Sequence, residues 1–272
     1  MGLKVSIGVR PRLVGAAGFR TLGLRPPWGY SEGERRALLE APVVYYPTSL
    51  YADLLAAVGK PTFPGPATYR LLGDKPRQTA LFQLLGLPHP RTRCFPRQRW
   101  GDIGREFGFP LVAKLPHTSR GRGVFLVRSQ PELAAYLDRL AARRGSVAYI
   151  QEYLALERDL RVVCFNRRPV HAYWRERAAG DWRTNVSVGG RVSLAAVPPE
   201  ALRLAARVAE GCGLDEVGLD LCEHEGGFLV LEANMAFGQK GFEAAGLDYK
   251  LIVKQILESD EIELRLLARR AQ

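Results

Sequence analysis

The sequence predicts an α/β protein with a short βα unit at its N-terminus, and three observations carry that reading. Strand-like apolar runs alternate with helix-period stretches from Leu3 to the C-terminal helix KLIVKQILES. Ser-x-x-Glu capping boxes precede two of those stretches, at Ser31/Glu34 and Ser129/Glu132. The segment GLDLCEHEGGFLVLEAN (218–234) consists of two alternating strands around a Glu-Gly-Gly turn, the pattern of a β-hairpin.

Taken in order, residues 3–9 read as a first strand and 42–46 as a second, with a short helix from Ser31 to near Ala41 between them. A further helix, SLYADLLAAV, is closed by Gly59. The Pro/Gly-rich PTFPGP (61–66) reads as a linker or loop, and the domain expectation is a basic βα unit over 1–72 followed by a larger domain over 73–272. Asp74 caps the next helix, whose apolar face is expected to include Leu81, Leu84 and Leu85 before Gly86 stops it. Its first turn holds Lys75, where peptide N–H groups and an ammonium could both address a phosphate. The strand FPLVAKLP places Lys114 among apolar neighbours, so its charge calls for a partner. HTSRGRG (117–123) then leads into the strand VFLVR, the layout of a glycine-containing lid over phosphates. Strands follow at 147–154, 158–165 and 168–178, with Asp159 and Arg161 on one face, two apart. The polar stretch GDWRTNVSVGGRV, a loop carrying Arg183 and Asn185, precedes a helix starting at Pro198 or Pro199.

Composition bounds the partners. A length of 272 residues with 47% hydrophobic content is enough for one large domain or two smaller ones. The net charge of +11 is uneven: residues 1–110 hold 16 Lys+Arg against 7 Asp+Glu, the remainder 23 against 21. That field favours an anionic partner, but no basic stripe is interleaved with stacking aromatics, which argues against nucleic acid. Four widely spaced cysteines without a Cys-x-x-Cys pair read as reduced thiols of a cytoplasmic chain. No run of 18 apolar residues exists and no signal-peptide pattern opens the chain, so no membrane partner is expected.

The hairpin carries the most specific chemistry. A turn centred near Gly226 sets Asp220 opposite Glu232, with Asn234 on the same face. Two carboxylates and an amide, with no Lys or Arg among the three, are hard oxygen donors suited to Mg²⁺ or Mn²⁺ and poorly suited to Zn²⁺. The bland alternative is an exposed hairpin with solvated acids.

In order, the Asp-Lys helix start, PLVAK with its glycine lid, IQEYL, RDLRV, WRTNVSVGG, GLDL and LVLEAN resemble the ATP-grasp fold and, within it, RimK-like carboxylate–amine ligases. The resemblance covers about residues 74–258. It implies ATP sandwiched between two α+β lobes, with Lys75 and Lys114 on the phosphates and Ser119, Arg120, Gly121, Arg122 and Gly123 as the lid. It further implies Gln151, Glu152, Tyr153 and Leu154 as the hinge against adenine, where backbone groups of Glu152 and Leu154 read the base edge, and Asp159 on the ribose. Asp220, Glu232 and Asn234 would hold Mg²⁺ (or Mn²⁺), and Arg161, Arg183 and Asn185 would face an acyl phosphate, with Lys114 sharing the catalytic role. The implied reaction phosphorylates a small-molecule or peptide carboxylate, and an amine then displaces phosphate to leave an amide; a protein substrate and a homo-oligomer are both compatible with it.

The chain departs from the family pattern at Arg120 and Arg122, at Val188, in Met235–Gly238 and in its short N-terminal unit. Two rival expectations accompany the ligase: a non-catalytic ATP-binding protein, and a basic N-terminal surface that docks RNA or a protein.

Overall fold

The computed structural model describes residues 3–115, 123–142, 147–184 and 189–268. Three sheets organise it. The first is parallel throughout, β1 (Lys4–Ser6), β2 (Phe19–Thr21), β3 (Val44–Tyr45) and β4 (Thr62–Phe63), in the order β2-β1-β3-β4. The second is antiparallel, β5 (Thr92–Phe95), β6 (Leu111–Lys114), β7 (Val124–Val127) and β8 (Ala148–Glu152), in the order β5-β8-β6-β7. The third is also antiparallel: β9 (Arg158–Phe165), β10 (Arg168–Glu176), β11 (Arg191–Ser193), β12 (Glu216–His224) and β13 (Gly227–Asn234), in the order β11-β10-β9-β12-β13.

Local chemistry explains the helices between them. Ser31 and Glu34 form a reciprocal capping box for the helix Glu32–Glu40. Asp74 accepts from the Arg77 N–H at the start of Lys75–Leu84, and Ser129 accepts from the Glu132 N–H at the start of Gln130–Ala141. The helix Pro199–Gly211 opens on prolines whose missing N–H groups cost nothing there, and buries Ala201, Leu204, Ala205, Val208 and Ala209 against the third sheet.

Two expectations are corrected. PTFPGP is not a linker: Thr62–Phe63 is β4, paired with β3, because the prolines lie at and beyond its ends and leave the ladder intact. The helix after Asp74 does not bury Leu84, which is 81% exposed; its inward face is Lys75, Gln78, Thr79 and Phe82. Gln78 explains part of that rotation. Its amide donates to the Leu71 and Ala233 carbonyls (2.8 Å each) and accepts from the Ala233 N–H (3.1 Å), satisfying the outer edge of β13. The sequence reading also passed over β2, β5, β11 and the helices Lys240–Ala244 and Glu261–Ala268.

The cores divide unequally. The second sheet packs with its own helices around Phe95, Ile103, Leu133 and Ile150. The first and third sheets share one core, in which Tyr45 and Phe63 meet Val163, Phe165, Phe242 and Tyr249.

Candidate active site

Between the second and third sheets lies a cleft of about 830 Å³, open solvent at its mouth included. Val112, Val124, Leu154, Leu156 and Leu231 give it apolar walls, and Lys75, Lys114, Asp159, Arg183, Asp220 and Glu232 line it with charge. Its size and mixed lining suit a small-molecule site.

Both lysines are buried, Lys75 at 3% exposure and Lys114 at 7%. Lys75 Nζ stands 3.2 Å from Glu232 Oε1. Lys114 ends β6, and burial holds its pKa below the ordinary lysine range; Glu232 and Asp220 oppose that shift, while Lys75 adds to it. Two buried lysines lining one cleft suit an anion more strongly charged than one carboxylate.

The hairpin forms and Asp220 meets Glu232 as the sequence predicts, but by a turn at Glu225–Gly226 and a one-residue bulge at Leu231 in place of a single register centred on Gly226. Glu225 and Gly226 both take positive φ (47° and 78°), the two-residue turn that matches strand twist. Asp220 pairs with Glu232 and Gly218 with Asn234. The Asn234 amide nitrogen donates to Asp220 Oδ2 at 3.1 Å. Neutralising cations come from other elements: Arg161, opposite Asp220 on β9, donates its Nε–H to Asp220, and Arg175 Nη2 lies 3.0 Å from the same carboxylate oxygen. Burial works against ionisation of Asp220, but the two guanidinium groups overcome it and hold its pKa below the usual aspartate value. Arg175 also binds both oxygens of Asp159, with its Nε 2.7 Å from Oδ1. The four side chains form a buried, charge-balanced network, Asp159–Arg175–Asp220–Arg161. Gly218 makes room for it: a Cβ there would stand 3.0 Å from Arg161 Nη1 and 3.1 Å from Phe237 Cβ.

The other expected residues distribute as follows. Gln151 is buried and donates to Thr92 Oγ1 (3.1 Å). The Glu152 N–H is spent on the Arg91 carbonyl (2.9 Å), and Leu154 lines the cleft. Tyr153 does not line it; its ring packs edge-on against Trp182, centroids 6.3 Å apart, and Trp182 lines the cleft instead. Asp159 lines the cleft with both oxygens already on Arg175, so a ribose hydroxyl would have to use its remaining lone pairs. Arg183 is held by Asp181 through its backbone N–H (2.9 Å), Nε (3.1 Å) and Nη2 (2.8 Å). These bonds depress the Asp181 carboxyl to about 2. Gly123, with φ +74°, accepts from the Leu115 N–H (2.7 Å). Ser119, Arg120, Gly121, Arg122 and Asn185 lie outside the described residues.

Sequence reasoning missed Arg175, Trp182 and Thr184. Arg175 was only half within reach: counted from the positive-φ turn at Asn166–Arg167, Trp174 would face Asp159, and a one-residue bulge between Pro169 and His171 puts Arg175 there instead. Among the described residues no group of three or more His, Cys, Asp and Glu side chains could hold a metal, so any metal here rests on two carboxylates, an amide and ligand oxygens.

The paired antiparallel sheets around a lysine-lined cleft are those of the ATP-grasp fold. A solved ATP-grasp ligase, PsnB, complexed with a phosphomimetic variant of its minimal precursor, Mg and ADP, superposes with a TM-score of 0.67 at 18% identity, covering 96% of this chain and 99% of that one. The chain belongs to the RimK-like ATP-grasp domain family, whose family model matches residues 97–259. Curated relatives include a probable alpha-L-glutamate ligase of Alkalilimnicola ehrlichii, 33% identical over 193 residues (69% of this chain, 64% of that protein). A ribosomal protein bS6–L-glutamate ligase of Salmonella paratyphi B is 36% identical over 146 residues (52% and 48%). The chain thus spans less than two thirds of the length of these relatives. No helix among the described residues is long and apolar enough to cross a membrane.

Proposed function

We propose that the chain is an ATP-dependent, ADP-forming carboxylate–amine ligase that works through an acyl phosphate. The observation that carries the reading is the convergence of Lys75, Lys114, Asp220 and Glu232 in one cleft that also has an apolar wall of Val112, Val124, Leu154, Leu156 and Leu231. Val112, Val124, Leu154, Leu156 and Leu231 suit the faces of a purine, the Glu152 carbonyl and Leu154 N–H its edge, and Asp159 the ribose. Lys75 and Lys114 bind phosphate oxygens, and the family resemblance assigns residues 119–123 to the lid.

The donor set fits a hard divalent cation. Asp220 and Glu232 supply carboxylates, and Asn234, whose amide nitrogen faces Asp220, presents its oxygen after a half-turn of the amide. A bound Mg²⁺ or Mn²⁺ would supply neutralisation of phosphate charge. Arg183, which lines the cleft, and, by the family resemblance, Arg161 and Asn185 are assigned to the substrate carboxylate as it attacks the terminal phosphorus of ATP and ADP departs. The same residues hold the acyl phosphate while an amine attacks its carbonyl carbon, loses a proton and expels phosphate. No side-chain nucleophile is needed, and positioning and charge stabilisation carry the rate.

The names of the relatives support glutamate as the amine and a peptide or protein carboxylate as the acceptor. Four free cysteines and the demand for ATP support a cytoplasmic setting. We keep 1–72 and 73–272 as the domain proposal.

The test is an ADP-release screen over acid and amine pairs, with mass spectrometry of the products. Turnover with at least one pair, reduced 10²- to 10³-fold by Lys114→Met, is expected. Tight ATP binding without turnover on any amino acid, peptide or amine would instead favour a non-catalytic nucleotide-binding protein.

A further inference from the structure

Lys75 and Lys114 must be correctly spaced to share one polyphosphate, yet they belong to separate bodies. Lys114 stands on the second sheet, which has its own apolar core. Lys75 opens a helix whose Phe82 and Leu81 pack into the core of the third sheet. Among the described residues no apolar cluster joins the two.

Gln83 near the end of the helix donates to the Thr92 carbonyl of β5 (3.2 Å), and one fully buried side chain touches both lysine carriers directly. Tyr149 lies directly opposite Lys114 in the β6–β8 pairing, and its ring centroid is 5.8 Å from Lys114 Nζ. Its hydroxyl is 2.7 Å from Thr79 Oγ1, with both groups buried. Thr79 follows Lys75 by four residues, so the two side chains share one helix face. Alternation along β8 sends Ala148 and Ile150 into the core of the second sheet and Tyr149 to the opposite face, toward that helix. Neither Tyr149 nor Thr79 lines the cleft, so neither is placed to touch a ligand.

We infer that the Tyr149–Thr79 pair is a positioning device that sets the spacing of the two phosphate-binding lysines. The reasoning is energetic. A buried hydroxyl left without a partner is penalised, so any slide of the helix along the second sheet must break this bond without compensation from water. The ring under Lys114 also restricts where its ammonium can settle in a cleft that disfavours the charge. Tyr149 thus orients one lysine through its face and the carrier of the other through its hydroxyl.

The inference rests on the ATP reading, and the experiment separates the two. ATP and adenosine are titrated calorimetrically against the full chain and against Tyr149→Phe, Thr79→Val, the double variant and Thr79→Ser. Adenosine has no phosphate for the lysines to grip. Both single variants are expected to lose 5- to 15-fold in ATP affinity with adenosine affinity unchanged. The double variant should lose no more than either single one, and Thr79→Ser, which keeps the hydroxyl, should bind as the parent does. ATP affinity unaltered in both single variants, or ATP and adenosine affinities falling in parallel, overturns the positioning role. Failure of the unaltered chain to bind ATP removes the nucleotide reading itself.

Discussion

Glu232, one of the proposed metal ligands, is held by Lys75 at 3.2 Å, so a metal ion must compete with an ammonium for it. At an effective dielectric constant near 20, a pair at that distance is worth about 5 kcal/mol. Glu232 is 22% exposed, which screens the pair to roughly 3 kcal/mol, the lower end of the cost of breaking a buried ion pair. By that figure Lys75 weakens metal binding to the empty cleft about 100-fold. A nucleotide phosphate that draws Lys75 away would release Glu232, so phosphate should bind before or together with the metal. Lys75→Met isolates this effect, because the Asp220 network with Arg161 and Arg175 stays intact. Lys114 remains near Glu232 and will take up part of the released charge, so the expected gain in Mn²⁺ affinity is about 10-fold rather than 100-fold. Titrations followed by electron paramagnetic resonance, without nucleotide, read it directly. If Lys75→Met binds Mn²⁺ no more tightly than the parent, the competition does not exist.

Two further outcomes follow from packing and titration. A Cβ at Gly241 would stand 2.1 Å from the Tyr173 ring, so Gly241→Ala is expected to cost about 1–3 kcal/mol in urea unfolding, while Gly238→Ala, with no atom within 4 Å, should be neutral. The Asp181 carboxyl, lowered to about 2 by its bonds to Arg183, contributes stability that is fully present above about pH 4 and lost as pH falls toward 2. Asp181→Asn should therefore be about 1 kcal/mol less stable than the parent at pH 6, surface screening included, and the difference should vanish by pH 2.

The hairpin was legible because its information is local, but the turn at Glu225–Gly226 alone would set Asp220 opposite Leu231; a one-residue bulge there, with no signal in the sequence pattern, restores the pairing with Glu232. The charge network was only half legible. Arg161 and Asp220 meet across β9 and β12, which are separated in sequence by two strands and a helix, so no turn reports their register. The helix after Asp74 misled for a physical reason: leucines suggested the inward face, but the cleft and the open edge of β13 required Lys75, Gln78 and Thr79 there. β4 was hidden because two residues between prolines carry no periodic signal, and their pairing with β3 is a tertiary decision.

The shared core of the first and third sheets joins the N-terminal unit to the strand that carries Asp159 and Arg161. Along β9 the side chains of Asp159, Arg161, Val163 and Phe165 alternate onto one face. The first two belong to the charged network, whereas Val163 and Phe165 are roofed by Phe63, Tyr45 and the helix Tyr249–Glu258. The apolar contacts of the N-terminal unit thus begin about 7 Å, one two-residue step, beyond Arg161 on the same strand. A change in how that unit packs would therefore reach the charged network along the strand itself.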